Sequence, residues 1–169
     1  TRYVESGERG EMCIRGANVM KGYWNNPQAT ADVTTFDGFM RTGDVALMDE
    51  DGYVFIVDRC KDMLLCSGYN VYPRVLEEAI YQHPSVGEVC VIGIPDDYRG
   101  QSPKAFLTLK AGAAPFTLAE LQAFLKDKLG KHEQVQALEI RQELPKTAVG
   151  KLSKKDLQDE EKRKQATPA

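Results

Sequence analysis

The sequence predicts an α+β protein: a small β-rich subdomain, followed by a compact α+β domain whose helices pack on a small mixed sheet. The first part is predicted by short apolar runs that turn residues separate, up to about residue 60. The second part is predicted by strand-like and helix-like segments that alternate from about residue 70 to about residue 140. The pattern changes within VDRCKDMLLCSGYN, residues 57–70, so we place the joint between the two units there.

In the first unit, turn chemistry defines the strands. GEMCIRG, residues 10–16, is a short apolar run, and residues 39–59 carry Asp51-Gly52 between two apolar runs, which is a strong hairpin signal. The intervening residues 17–38 are rich in Asn, Pro, Gly and Thr, which favours loops with a short helix that starts at Pro27.

Two helices are predicted in the second unit. Pro73–Tyr81 can begin with proline in its first turn and gathers apolar residues on one face, so Glu77 and Glu78 are expected to face water. Thr117 and Glu120 form a capping box that opens the other helix, along which leucines recur at helical spacing. The apolar faces consist of Val75, Leu76, Ala79 and Ile80 in the first helix and of Leu118, Leu121, Leu125 and Leu129 in the second.

Three apolar runs in the second unit predict its strands. VGEVCVIGI, residues 86–94, is almost continuously apolar, which is typical of a strand covered on both faces. KAFLTLK, residues 104–110, and ALEI, residues 137–140, predict two more strands. Residues 156–169 are so highly charged that they predict a fraying helix or a disordered tail.

The composition excludes several classes of protein. Of 169 residues, 42% are hydrophobic and 28% are charged, which is typical of a globular protein with one core or two small ones. No run approaches the roughly 20 apolar residues of a transmembrane helix, and residues 1–12 lack the apolar stretch of a signal peptide. The formal charge of -3 argues against nucleic-acid binding and favours small-molecule partners.

The cysteines predict reduced thiols and no metal site. Cys13, Cys60, Cys66 and Cys90 form no C-x-x-C pair, and the two histidines do not complete the spacing of a zinc site. Cys13 and Cys90 lie in apolar strand-like runs, which indicates reduced, structural thiols and predicts a cytoplasmic protein.

Two segments near the joint carry candidate binding residues. In RTGD, residues 41–44, Gly43 permits a tight turn and Asp44 offers the two acceptor oxygens that neighbouring ribose hydroxyls require. Taken alone, these four residues favour a turn whose aspartate hydrogen-bonds its own backbone. Arg59 could donate to a ribose or phosphate oxygen, although a surface ion pair is the usual role. Gly68 permits close backbone approach, although a loop glycine is usually a turn.

The third candidate segment is ELPKTAVGKLSKKDL, residues 143–157. Pro145 stiffens the approach, Gly150 frees the turn, and Lys151 could then be held at the tip of a mobile loop. Taken alone, a lysine-rich stretch of this kind is more often a solvated surface.

In order and spacing, these segments resemble the adenylate-forming superfamily, which includes acyl-CoA synthetases, peptide-synthetase adenylation domains and firefly luciferase. GYWNNPQAT resembles the family's G-Y-x-x-x-P-x-x-T signature, and DGFMRTGD resembles its ribose motif. DGYVFIVDRCKDMLLCSGYNVYPRVLEEAI resembles the hinge-and-glycine motif, and LPKTAVGKL the catalytic-lysine motif. Residues 72–106 are most similar to bacterial fatty acyl-CoA ligases of long or medium chain length.

The resemblance implies a role for each candidate residue. Asp44 would bind the ribose hydroxyls of ATP or of the acyl-adenylate, and Arg59 would support the same nucleotide. Lys61 would be the hinge about which a small domain swings between two poses. Lys151 would be catalytic in the first pose, where it bridges the carboxylate and the α-phosphate. The pantetheine channel of the second pose would be lined by Ser67, Gly68 and Tyr69.

The resemblance also implies a domain organisation and a reaction. Residues 1–60 would be the last subdomain of a large AMP-binding domain, residues 61–158 the mobile small domain, and residues 159–169 a charged tail. The parent enzyme would use ATP, Mg2+ and coenzyme A to convert a carboxylic acid, here a fatty acid, into its CoA thioester. We expect this chain to be an inactive piece of that enzyme, because the phosphate loop, the acyl pocket and the magnesium-binding Glu would lie before residue 1.

One departure and two alternatives stay open. GKHEQVQ, residues 130–136, replaces the aromatic-Lys-x-Pro stretch of many relatives, which leaves the contacts to the CoA nucleotide undefined. A catalytically silent binding module would have no chemical need for Asp44, Arg59 and Lys151 together. The other alternative is an adenylation enzyme that transfers the acyl group to a carrier-protein thiol instead of to coenzyme A.

Overall fold

The structure, a computed structural model, describes residues 2–166. The chain divides into two compact units, Thr1–Lys61 and Asp62–Ala169. The division falls within the stretch where the sequence pattern changes. Each unit has its own sheet, and the protein is α+β as predicted.

The first unit is a three-stranded antiparallel sheet of order β1-β2-β3. The Asp51-Gly52 hairpin is confirmed: the backbone N–H of Asp49 donates to the carbonyl of Tyr53 at 3.0 Å, and Gly52 has φ +86°. The short helix α1 starts at Pro27 as predicted, and the Asn26 side chain caps it. The elements are β1 (Gly10–Ile14), α1 (Pro27–Asp32), β2 (Met40–Met48) and β3 (Val54–Arg59).

The second unit is built on a mixed sheet of five strands. The antiparallel path runs β5-β4-β7-β6, and β8 pairs in parallel with β7. Because β6 occupies one edge of β7, β4 and β8 share the other edge at different heights. The elements are β4 (Leu64–Cys66), β5 (Tyr69–Val71), α2 (Pro73–Tyr81), β6 (Val86–Asp96), β7 (Gly100–Leu109), α3 (Leu118–Leu125), β8 (Ala137–Arg141) and α4 (Lys154–Ala166).

Apolar side chains cover both faces of this sheet, as the continuous apolar run of β6 predicted. Val89 and Val91 of β6 belong to the larger core, together with residues of α2 and α3. Cys90 and Ile92 point the other way and pack with Leu144 and with Leu157 of α4. The unit therefore has three layers, with α2 and α3 on one face of the sheet and α4 on the other.

The helix at Pro73–Tyr81 and the capping box of Thr117 and Glu120 are confirmed. The prediction that Glu77 faces water is wrong: only 16% of its side chain is exposed, and it forms a salt bridge with Lys154. Glu78 is exposed, as predicted. The periodicity of α2 assigned Glu77 to its polar side, but another element covers that side.

The charged segment from residue 156 is an ordered part of α4 as far as residue 166, and residues 167–169 of the predicted tail lie outside the described residues. The Ser153 hydroxyl accepts a hydrogen bond from the N–H of Asp156 at 3.3 Å and so caps the helix. The sequence analysis did not identify this cap, although Ser153 followed three residues later by Asp156 is a sequence signal for the start of a helix.

A network of charged side chains holds α4 against the sheet. Glu139 of β8 pairs with Lys104 at 2.8 Å, with Arg141 at 2.7 Å and with Lys164 of α4 at 3.1 Å. Burial by itself would raise the pKa of Glu139, but the hydrogen bonds from these three cations outweigh it and lower the pKa to about 2. The charged form of Glu139 is therefore the form that stabilises the fold.

The four cysteines are free thiols, and the side chains of Cys66 and Cys90 are buried in the second unit. Burial raises the pKa of the Cys90 thiol to about 12, and the neighbouring Glu77 carboxylate adds to this rise. Within residues 2–166, no helix has both the length and the apolar content that a membrane crossing requires.

We predict that Glu139→Gln destabilises the chain at pH 7 by on the order of 2 kcal/mol, because it removes a carboxylate that three cations hold ionised. The folded-state pKa lies below the ordinary 4.5, so this stabilisation is complete above about pH 4.5 and is lost as the pH falls towards about 2. Urea unfolding of both proteins from pH 7 to pH 2 should therefore show a difference that shrinks on acidification. Glu143→Gln, at an exposed glutamate, is the control and should show no such pattern.

Candidate functional site

Asp44 and Arg59, the two predicted nucleotide-binding residues, lie opposite each other on paired strands of the first unit. They are register partners of β2 and β3. The Nε of Arg59 lies 3.7 Å from Oδ1 of Asp44, and 63% of the Arg59 side chain and 32% of the Asp44 side chain are exposed. A pair this long and this exposed contributes little stability. Both groups therefore keep donor and acceptor capacity for a ligand.

Asp44 is part of a strand and not of an aspartate turn. In the part of the chain that the structure describes, no backbone N–H donates to its carboxylate; its own N–H donates to Oγ1 of Thr42 at 3.1 Å. Thr42 in turn donates to the carbonyl of Met12 on β1 at 2.8 Å. Gly43, at φ +76°, supplies a left-handed backbone where the register between β1 and β2 shifts. The local geometry favours the binding interpretation over the turn.

Lys61 lies where the two units meet along the chain. It is the middle residue of a short 3-10 turn, Cys60–Asp62, and its side chain is exposed. The first unit ends at this residue. Its role as a hinge stays a prediction.

Ser67 and Gly68 form the two-residue turn of the β4–β5 hairpin. Their φ values are +52° and +82°, and Cys66 pairs with Tyr69 across the turn. Positive φ at both central positions is typical of a type I′ turn. A Cβ built on Gly68 would meet no atom within 4 Å. The backbone conformation thus accounts for this glycine without any contact, and the open space leaves the turn accessible to a ligand.

Tyr69 joins this turn to the segment that departs from the family pattern. Its ring stacks on His132, with centroids 4.7 Å apart and planes at 27°. His132 lies in the short turn Lys131–Glu133, and 58% of Tyr69 is exposed. The departing segment therefore contacts one of the three residues that we predict to line the pantetheine channel.

Lys151 lies on a closed hairpin instead of an open loop. The N–H of Thr147 donates to the carbonyl of Lys151 at 2.7 Å, and the N–H of Lys151 donates to Oγ1 of Thr147 at 3.2 Å. Gly150, with φ +79°, lies in the turn, and Lys146 and Leu152 form an antiparallel β-bridge at the base of the hairpin. The backbone at Lys151 is therefore fixed by Thr147, which the sequence analysis did not identify.

The lysines of this segment differ in their partners. Lys146 pairs with Glu88 at 2.7 Å, and Lys154 pairs with Glu77 at 3.2 Å. Lys151 is exposed, and within residues 2–166 no carboxylate lies within ion-pair distance of its Nζ. Lys151, the predicted catalytic residue, thus lies between two lysines that are paired with glutamates, and its own ammonium remains available to a ligand.

The signature GYWNNPQAT has a structural explanation in the first unit. A Cβ on Gly22 would lie 2.9 Å from the Thr30 side chain, and the N–H of Tyr23 donates to Oγ1 of Thr30 at 2.9 Å. The glycine and the threonine therefore fold the loop against α1. Among residues 2–166, no group of three or more His, Cys, Asp or Glu side chains is arranged to hold a metal ion.

Comparison with known proteins adds four similarities to this geometry, two from sequence and two from solved structures. A family model of the AMP-binding enzyme C-terminal domain matches residues 75–151. The long-chain-fatty-acid–CoA ligase of Bacillus subtilis (strain 168) is 49% identical over 154 residues, which are 91% of this chain and 27% of that ligase. The chain thus spans about a quarter of the length of this relative.

Two solved structures are similar over most of the chain. MatB from Rhodopseudomonas palustris, solved with bound ATP, has a TM-score of 0.86 at 34% identity, over 93% of this chain and 31% of its own. The o-succinylbenzoate CoA synthetase MenE from Bacillus subtilis, solved with its acyl-adenylate intermediate, has a TM-score of 0.83 at 33% identity. That match covers 92% of this chain and 31% of the synthetase.

We predict that Gly68→Val destabilises the chain by about 1–2 kcal/mol, because a β-branched residue is strained at positive φ. Gly68→Asn should cost less, since asparagine tolerates the left-handed region. Urea unfolding of both variants checks this order. Equal losses would mean that space around Gly68, and not its backbone conformation, selects the glycine.

Proposed function

We propose that this chain, which belongs to the adenylate-forming superfamily, is part of an ATP-dependent acyl-CoA synthetase. The premise is that the chain contains the AMP-binding enzyme C-terminal domain of that superfamily. The enzyme would activate a carboxylate as acyl-AMP and transfer the acyl group to coenzyme A. The observation that carries the proposal is the exposed Lys151, held on a fixed hairpin between two lysines that are neutralised by glutamates. A fatty acid is the proposed substrate, which the name of the Bacillus subtilis ligase supports.

Each predicted residue has a chemical task in the first half-reaction. The two oxygens of Asp44 would accept hydrogen bonds from both ribose hydroxyls, and the guanidinium of Arg59 would donate to the same nucleotide. Attack of the carboxylate on the α-phosphate builds negative charge, which the Lys151 ammonium would stabilise in the transition state. Magnesium, when bound, would neutralise the leaving pyrophosphate. We assign no magnesium ligand to residues 2–166, because they contain no cluster suited to it.

The second half-reaction would use a different surface of the second unit. Rotation about Lys61 would withdraw Lys151 and present Ser67, Gly68 and Tyr69 to the pantetheine arm. The exposed type I′ turn supports this, because it leaves the backbone at Gly68 accessible. One active site could then carry out two reactions in turn.

We predict that Lys151→Ala in the full-length enzyme lowers the rate of acyl-AMP formation by on the order of 100-fold. Thioester formation from preformed acyl-AMP should be unchanged, because Lys151 would have left the site by then. Single-turnover assays of the two half-reactions measure this. Lys155→Ala, at an exposed lysine on the first turn of α4, is the matched control and should leave both rates unchanged.

Equal loss of both half-reactions in Lys151→Ala would contradict the assignment. The same assays, run with coenzyme A and with a phosphopantetheinylated carrier protein, distinguish the two thiol acceptors. We expect coenzyme A to be the faster acceptor. A faster reaction with the carrier protein would favour the alternative adenylation enzyme.

We further predict that the 169-residue chain alone releases no pyrophosphate with ATP and any fatty acid, because it contains no phosphate loop. A pyrophosphate-release assay checks this, with the full-length enzyme as the positive control. Measurable release would show that these residues suffice for adenylation and would contradict the proposed division of labour.

A further inference from the structure

Both legs of the Lys151 hairpin are tied to the β6 side of the sheet by ion pairs. On the incoming leg, Lys146 pairs with Glu88 of β6, with 46% and 37% of the two side chains exposed. On the outgoing leg, Lys154 pairs with Glu77 of α2, with only 22% and 16% exposed. The second pair is the more shielded from solvent, so removal of one partner there has the larger consequence.

Glu77 has a second task that fixes its own position. Its Oε1, which pairs with Lys154 at 3.2 Å, also accepts a hydrogen bond from the N–H of Val91 at 2.8 Å. Val91 belongs to β6, whose neighbour β7 lies on the opposite edge. Glu77 therefore binds the outer edge of β6. Its carboxylate is held in place by the sheet independently of its ion pair with Lys154.

The pair with Lys154 crosses from one layer of the unit to another. Glu77 comes from α2, which packs on the face of the sheet that carries Val91. Lys154 starts α4, which packs through Leu157 on the face that carries Cys90. The ion pair thus passes round the edge of β6 and fixes the start of α4 relative to α2.

Lys154 lies three residues after Lys151, and the intervening backbone is constrained. Leu152 packs against the core that contains Leu157, and Ser153 is buried and donates its N–H to the carbonyl of Pro145 at 2.8 Å. A displacement at the start of α4 is therefore transmitted to the hairpin instead of being absorbed by a flexible linker.

We propose that Glu77, acting through Lys154, is a positioning residue that sets the location of the Lys151 ammonium for acyl-AMP formation; this rests on the proposed function. Loss of the Glu77 charge leaves Lys154 without its ion-pair partner at the edge of β6, and the start of α4 shifts together with the hairpin. A displacement of about 1 Å at a reacting group is enough to slow a reaction severely.

The test uses the full-length enzyme. Glu77→Gln keeps an acceptor for the Val91 N–H and removes only the charge. We expect acyl-AMP formation to fall about tenfold in kcat with little change in KM. Thioester formation from preformed acyl-AMP should stay within about twofold. Lys154→Met should reproduce this result, and Lys154→Arg should restore most of the activity because it keeps the ion pair.

Glu78→Gln is the matched control. Glu78 neighbours Glu77 on α2, is exposed and pairs with Arg74, one turn earlier on the same helix. We expect it to leave both half-reactions unchanged. Hydrogen exchange adds a readout that does not depend on catalysis: the N–H groups of Thr147 and Gly150 should exchange faster in Glu77→Gln than in Glu78→Gln.

Three outcomes would overturn the proposal. Unchanged acyl-AMP formation in Glu77→Gln, in an enzyme that Lys151→Ala slows, would remove the positioning role and leave the proposed function intact. Parallel losses in both half-reactions, together with a lower urea midpoint, would show that Glu77 only stabilises the fold. Unchanged acyl-AMP formation in Lys151→Ala would overturn the proposed function itself.

Discussion

The burial of β6 on both faces is the constraint on which the second unit depends. Its side chains alternate between two cores, with Val89 and Val91 in one and Cys90 and Ile92 in the other. Each such side chain contributes about 1.5–3 kcal/mol only if water is excluded from its own face. A strand of this kind needs a layer on each side, so α2 and α3 cover one face and the segment from Leu144 to Leu157 covers the other. The hairpin that carries Lys151 is part of that second cover.

The outer edge of β6 imposes a second requirement. Among residues 2–166, no strand pairs with this edge, and buried N–H groups need acceptors. Side chains of α2 provide them: Glu77 accepts from Val91 at 2.8 Å, and the Tyr81 hydroxyl accepts from Val89 at 3.4 Å. A carboxylate placed there for the strand is also well placed to attract a cation, and Lys154 takes that position. One side chain thus serves the edge of the sheet and the helix that follows the hairpin.

Local patterns predicted the elements well, since they depend on neighbours in sequence. Helix α2 begins at Pro73 and ends at Tyr81 as predicted, and α3 begins after the capping box of Thr117. What the sequence did not reveal depends on partners far along the chain. Helical periodicity placed Glu77 on a solvent face because it contains no information about a lysine 77 positions later in the sequence. The closure of the Lys151 hairpin by Thr147 was missed for the opposite reason: Thr147 lies close by, but Pro145 and Gly150 favoured an open loop. The roles of the site residues came from the family resemblance and are not contained in the fold alone.

The closed hairpin also determines how Lys151 can travel. Hydrogen bonds to Thr147 hold its backbone, and Leu144, Leu152 and Leu157 anchor the hairpin in a core. Only the four methylenes of the side chain move independently, on picoseconds to nanoseconds. A larger displacement of the ammonium would require the hairpin and the core that anchors it to move together, and collective motions of that kind belong to the microsecond-to-millisecond range. The rate of such a motion would then be limited by solvent friction on a whole packed body and not by the rearrangement of a loop.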